Sequence, residues 1–404
     1  MNSPAIRFAG FTEDWEQRKL SSIATIKARI GWQGLTQKEF LDDGDYYLIT
    51  GTDFAEGTID FPNCHYIGED RYRQDTNIQV KARDVLITKD GTIGKVAYIK
   101  ELDKPATLNA GVFVIRGRDE YTSNLYMYHY LAAPFLLDYA DEQATGGTIK
   151  HLNQNVLVSF PVPMPSVAEQ EKVGHFFSAV NDLITLHQRE HDKTVNIKKA
   201  LLEKMFPKDG EDKPEIRFAG FTDAWEQRKL GDLGSVVMNR RIFKEQTAES
   251  GDIPFYKIGT FGAEPDSFIS RELFEEYKSK YPYPKVGDIL ISASGSIGKT
   301  VEYTGKDEYF QDSNIVWLQH DERLNKSFLK HFYSVVKWHG LEGSTIKRLY
   351  NKNILDTKIN VPSLDEQQVV GAFFDRLSDL ITLHKRELTK LQNIKKALLE
   401  KMFV

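Results

Sequence analysis

DLITLHKRELTKLQNIKKALLEKMF (379–403) repeats DLITLHQREHDKTVNIKKALLEKMF (182–206), with about four in five positions identical. In the later copy Phe374, Leu377, Ile381, His384, Leu388, Leu391, Lys395, Leu398 and Met402 recur in steps of three and four. That spacing is a heptad seam. The earlier copy carries Phe177, Val180, Ile184, His187, His191, Thr194, Lys198, Leu201 and Met205 at the same places. Ser166-Val167-Ala168-Glu169 and Ser363-Leu364-Asp365-Glu366 each follow a proline and fit the S-x-x-E capping box, which starts the helices at 166 and 363. Each helix of about 40 residues would span roughly 60 Å at 1.5 Å per residue. An apolar stripe that long requires cover, supplied either by the other copy of the helix or by the helix's own domain. His187 and His384 interrupt the seam at equivalent positions, as register-setting polar residues do; a facing pair would also suit a metal or a pH switch. Lys198 and Lys395 can keep their charge wet by snorkelling along the seam.

Working outward, the start of the chain repeats too. IRFAGFTEDWEQRKL (6–20) returns as IRFAGFTDAWEQRKL (216–230). The repeat offset falls from 210 at Ile6/Ile216 to 197 at Asp182/Asp379, so the first variable segment is 13 residues longer than the second. Weaker echoes survive within the variable segments: DVLITKDGTIGKVAYI (84–99) with DILISASGSIGKTVEY (288–303), and GGTIKHL (146–152) with GSTIKRL (343–349). Each half reads as an opening segment (1–20; 216–230), a variable α/β segment (21–165; 231–362) and a long helix (166–206; 363–404), joined by a polar, proline-bounded loop at 207–215. The fold class is α+β with a pseudo-two-fold internal repeat.

The 404 residues suffice for two domains, and 41% hydrophobic with 27% charged residues is the composition of a globular protein with no membrane-length apolar run. MNSPAIRFAGF lacks the basic patch and apolar core of a secretory signal, so a cytosolic location is expected. A single cysteine, Cys64, excludes an internal disulfide framework and a Cys-rich zinc site. The net charge of −5 does not by itself advertise a nucleic-acid partner.

Ala293-Ser294-Gly295-Ser296-Ile297-Gly298-Lys299-Thr300 approaches the phosphate-loop pattern G-x-x-x-x-G-K-[ST]. That loop must open a helix, whereas Val301-Glu302-Tyr303-Thr304-Gly305 reads as a strand ending in a turn. The earlier copy, Lys89 to Val96, lacks the magnesium-binding hydroxyl. A glycine-rich hairpin turn bearing a lysine accounts for both copies. No nucleophile, zinc-protease, adenine-methylase or nuclease motif is present. What recurs is glycine, hydroxyl and basic residues in turns: Lys89, Thr92, Lys95, Thr148, Lys150 and His151, then Ser296, Lys299, Thr345, Lys347 and Arg348. Lys27 and Arg29 align loosely with Arg240, Arg241 and Lys244. Such groups suit phosphate oxygens, with arginine and amides available for base edges. Individually, each also fits a solvated loop. The first variable segment is acidic and the second near neutral, so a partner would supply much of the positive surface.

The whole arrangement resembles the specificity subunit of type I restriction–modification systems. The resemblance rests on Phe8, Phe11 and Trp15 (again Phe218, Phe221 and Trp225), the GTIGK and GSIGK turns, the TIK segments and the Pro-Ser…Glu-Gln openings at 165–170 and 362–367. It implies two α/β target-recognition domains, 21–165 and 231–362, separated by two long antiparallel helices forming a coiled-coil spacer. It implies double-stranded DNA as ligand, each domain reading one half of a split site. It also implies two methylation subunits carrying S-adenosylmethionine, restriction subunits using ATP and magnesium, and no cofactor or catalysis on this chain. A scaffold displaying two non-DNA binding domains on a coiled coil is the competing reading, and a nucleotide hydrolase the remote one.

Overall fold

The structure is a computed structural model that describes residues 3–29, 34–118, 121–143, 151–338 and 348–403. Two long helices dominate it, Val167–Met205 and Leu364–Phe403. The chain divides into two units, 1–189 with 385–404, and 190–384. The division cuts through both helices rather than at their ends, where a reading of the sequence places the boundaries. Each unit therefore holds the start of one helix and the end of the other.

The first unit contains an antiparallel sheet in the order Ala24–Ala28, Val112–Gly117, Val85–Thr88, Val96–Tyr98. Strand side chains alternate between faces. Val85, Ile87, Phe113 and Ile115 join the core against the helices, while Leu86, Val112 and Val114 join a second core. Burial on both faces is why VLIT and VFVI read as continuous apolar runs. The second core lies against a smaller sheet, His65–Tyr66, Tyr47–Ile49, Ala106–Leu108, Gln79–Val80, whose central pair is parallel.

The second unit repeats the plan. Its main sheet runs Gly234–Val237, Ile315–His320, Ile289–Ser292, Thr300–Glu302. Ile289, Ile291, Val316 and Leu318 face one core, and Leu290, Ile315 and Trp317 face another. A three-stranded sheet, Phe268–Ile269, Ile253–Tyr256, Tyr309–Phe310, completes it.

Within each unit the two long helices run antiparallel. In the first, the ring of Phe403 stacks on Phe177 at 5.4 Å and 16°, with Tyr126 and Tyr130 at 5.4 and 5.3 Å. In the second, Phe206 lies 5.3 Å from Phe328, 6.1 Å from Trp225 and 6.3 Å from Phe374. All the predicted seam residues are buried or half-buried. The stripe is covered by helix on helix and by domain, but only the start of each helix packs on its own domain; Leu399, Met402 and Phe403 enter the first core, and Leu202, Met205 and Phe206 the second. Lys198 ends its ammonium on Ser378 Oγ at 2.7 Å. His187 and His384 are half-buried at the seam, and no cluster of metal-ligating residues exists among the described residues.

The opening segments are clasped onto the helix starts. Arg7 donates from Nε and Nη2 to both carboxylate oxygens of Glu169 at 2.7 and 2.8 Å, and Trp15 Nε1 donates to Glu169 at 3.2 Å. Arg217 repeats the fork on Glu366 at 2.7 Å for both bonds. This corrects the capping-box expectation. Ser363 Oγ does accept from Glu366 N–H at 3.4 Å, but the carboxylates hold arginine instead of reaching back to the cap. A buried carboxylate gains more from a bidentate guanidinium than from one backbone amide. Next in sequence, Gln170 Oε1 accepts from Ser123 N–H, and Gln367 Oε1 from Asn325 N–H, at 2.9 and 2.8 Å. Ser123 and Asn325 are in turn the N-caps of the buried helices Asn124–Leu131 and Lys326–Phe332. The motif Pro-Ser…Glu-Gln thus fastens three segments of each unit together.

Candidate nucleic-acid interface

Each main sheet ends in the same hairpin. Thr88 Oγ1 donates to Thr92 O at 2.5 Å and accepts from Lys95 N–H at 2.9 Å, while Gly94 N–H donates to Thr88 O at 2.9 Å. Ser292 makes the same bonds to Ser296 O, Lys299 N–H and Gly298 N–H. Glycine is required because Gly91, Gly94, Gly295 and Gly298 all have φ between +64° and +79°. At Gly94 an added Cβ would also lie 2.6 Å from Leu137 Cδ2. The strand after the loop pairs back antiparallel and no helix follows. Without a helix N-terminus behind it this is not a phosphate loop of the nucleotide-hydrolase type.

A second segment is stitched to each hairpin. Leu152 N–H donates to Lys89 O at 2.9 Å, and Leu349 N–H to Ala293 O at 2.8 Å. The structure thus brings the GTIGK turn beside His151 and the GSIGK turn beside Arg348. Thr92, Lys95, Ser296 and Lys299 are exposed. Lys89 is half-buried, its ammonium 5.5 Å over the Phe113 ring. Lys299 Nζ donates to Phe261 O at 2.5 Å, tying the turn to a neighbouring loop. His151 Nδ1 lies 2.6 Å from Asp90 Oδ1. Arg348 Nη2 donates to Ser313 O at 2.6 Å. Thr148, Lys150, Thr345 and Lys347 lie outside the described residues.

The remaining basic residues divide. Lys27 is exposed on the edge strand, opposite Val114. Arg29 departs from expectation. It is 2% exposed, with Nε donating to Leu108 O at 2.8 Å and Nη2 to Thr107 Oγ1 at 3.5 Å, so it fastens the two sheets and offers nothing to a ligand. Burial, reinforced by Arg71, lowers its pKa. Asn239, which like Arg29 follows the edge strand, is also buried and bonds across to Pro282 O at 3.2 Å. Arg240, Arg241 and Lys244 are exposed. Arg240 packs 5.2 Å over Tyr281 and Arg241 5.5 Å over Phe243. Asp90 and Asn314, neither basic nor hydroxyl-bearing, also sit at the hairpins. Asn314 Oδ1 accepts from Ser294 Oγ at 2.8 Å. Among the described residues, no helix is long and apolar enough to cross a membrane.

A sheet, hairpin and clasp, each present twice on paired helices, define a protein of two like modules. The chain belongs to the family described as type I restriction modification DNA specificity domain, which matches residues 12–195 and again 222–393. It is 41% identical over 303 residues to a protein of Haemophilus influenzae named as a type I restriction enzyme specificity subunit, covering 73% of this chain and 75% of that one. A type I restriction enzyme specificity subunit of Methanocaldococcus jannaschii is 24% identical over 421 residues, covering 96% and 93%. The crystal structure of an S subunit from M. genitalium shares the fold, with a TM-score of 0.65 at 16% identity over 100% of this chain and 99% of that one. Membership makes the chain a specificity subunit, a non-catalytic component of its complex.

Proposed function

We propose that the chain reads an asymmetric bipartite site on double-stranded DNA, with domain 21–165 on one half-site and domain 231–362 on the other. The helices 166–206 and 363–404 set the unread gap. One observation carries this: the same hairpin and stitched segment recur in both units on different side chains, as two readers of different sequences require. Lys27, Lys89, Thr92, Lys95, His151, Arg240, Arg241, Lys244, Ser296, Lys299 and Arg348 face the duplex, mostly at phosphates. Arg29 is withdrawn from that set.

Two methylation subunits carrying S-adenosylmethionine assemble on the chain in the cytoplasm, and ATP-using restriction subunits join through them. Supporting two copies of one partner, the helices expose the same off-seam apolar residues. Leu183 and Leu380 are 41% and 39% exposed, Leu186 and Leu383 54% and 52%, and Ile197 and Ile394 both 42%. Equivalent patches on equivalent helices suit a symmetric pair of subunits.

Replacing 21–165 with the matching segment of a relative, then mapping methylated bases in a host genome, tests the reading. One half-site should change while the other and the gap persist. A change in both halves would show that the domains do not read independently.

A further inference from the structure

Resting on that reading of two DNA half-sites, we propose that Asp90 is a base-reading residue of the first domain, selecting a base that offers an exocyclic amino group in the major groove, cytosine N4 or adenine N6. Asp90 follows Lys89 at the start of the hairpin tip, and its equivalent in the second unit is Ser294. His151 and Arg348 are likewise equivalent, each preceding the leucine that is stitched to its hairpin. The backbone is common to the two units and the chemistry is exchanged. The first tip carries a carboxylate held by histidine; the second carries a hydroxyl held by Asn314, beside an arginine.

A carboxylate is the wrong group for a turn whose work is confined to phosphates. When ionised it only accepts hydrogen bonds, so phosphate oxygens, guanine O6 and N7 and thymine O4 all repel it. The donors that the major groove presents to it are the amino groups of cytosine and adenine. Asp90 is also not spent as a structural ion pair with the lysines of its own turn. Its one hydrogen-bonding partner among the described residues is His151, at Oδ1; the Asp90 side chain is 44% exposed and that of His151 69%. The imidazole fixes the carboxylate's orientation and leaves Oδ2 for a ligand. A carboxylate so placed gives up affinity for the backbone in exchange for discrimination between bases.

The test uses the full chain assembled with its methylation subunits and reads every methylated site in a host genome. Asp90→Ala is expected to relax one base pair of one half-site, lowering discrimination there by about ten- to a hundred-fold. The other half-site and the gap should stay as they were, and Ser294→Ala should leave the first half-site untouched. If Asp90→Ala methylates the parental sites with the parental discrimination, Asp90 is not a reader, while DNA reading by the domain stands. A parent complex that methylates no split sequence sinks the reading underneath instead. Should Asp90→Ala give no methylation, Asp90→Asn decides, because it keeps the shape and the acceptor for His151 while adding donors. A relaxed or switched base at one position then supports the role; the parental set or continued silence overturns it.

Discussion

Cutting Phe403 back to alanine would ask whether the end of the second helix is a structural part of the first domain. The ring is 3% exposed and sits among Phe177, Tyr126 and Tyr130. Deleting a buried phenylalanine costs about 3–5 kcal/mol, including the cavity it leaves. Because Phe403 closes its helix, the last turn can settle toward the gap, which favours the lower figure. At about 1.4 kcal/mol per tenfold, 3 kcal/mol is more than a hundredfold in the opening equilibrium. Amide hydrogen exchange reads this directly. Amides of Asn124–Leu131 should exchange about a hundredfold faster, and those of Lys326–Phe332 should not change. Phe206→Ala, at a side chain 7% exposed, should give the mirror result. Acceleration below about fivefold, or equal acceleration in both helices, would refute the assignment of each helix end to the opposite repeat's domain.

Other substitutions probe the clasps, the buried histidines and the hairpins. Glu169→Gln should cost roughly 3 kcal/mol in urea unfolding, since it leaves Arg7 facing a neutral amide in a largely buried site; a loss no larger than that of an exposed pair would count against the clasp. Burial pushes His331 down to about 4 and His129 to about 3, from 6.5 in the unfolded chain. The unfolded state takes up these protons first, so their contribution is complete above pH 6.5 and is lost as the pH falls toward 4 and 3 respectively. The urea midpoint should therefore drop between about pH 7 and 5, and drop less in His331→Gln. Gly94→Ala should destabilise the first unit by about 1–3 kcal/mol, because its φ of +74° strains any side chain; an unchanged melting temperature would refute it. Lys299→Ala should weaken binding to the split site and lower the salt dependence by about one unit of slope, read by titration at several salt concentrations.

Local features of this fold could be read in the sequence, and non-local ones could not. The helix seam is a pattern of steps three and four residues apart, so Phe177 to Met205 and Phe374 to Met402 announce themselves. The hairpins are equally local, because Gly91, Gly94, Gly295 and Gly298 mark the positive-φ positions. Glu169 misled because its partner, Arg7, lies 162 residues away, while the nearby Ser166 offers a plausible local use. Arg29 reads as an exposed basic residue beside Lys27, and only the Leu108 carbonyl of the second sheet shows that it is buried. The unit boundary at 189/190 and 384/385 was also out of reach, since it depends on which core takes Phe206 and which takes Phe403. Nothing in the sequence pattern marks Asp90, because a carboxylate does not suit phosphate oxygens.

The rings around Phe403 and Phe206 have a consequence for how new specificities could be built. Tyr126 and Tyr130 belong to the first variable segment, and Phe328 and Phe332 to the second, at equivalent places on the buried helices. They form an aromatic socket for a plug that the rest of the chain supplies. A module transplanted from another protein can carry any loops it likes at the reading end. It is expected to seat only where it brings apolar side chains that fill these two places. The interchangeable part of such a protein is thus defined less by where its sequence diverges than by the socket it must keep.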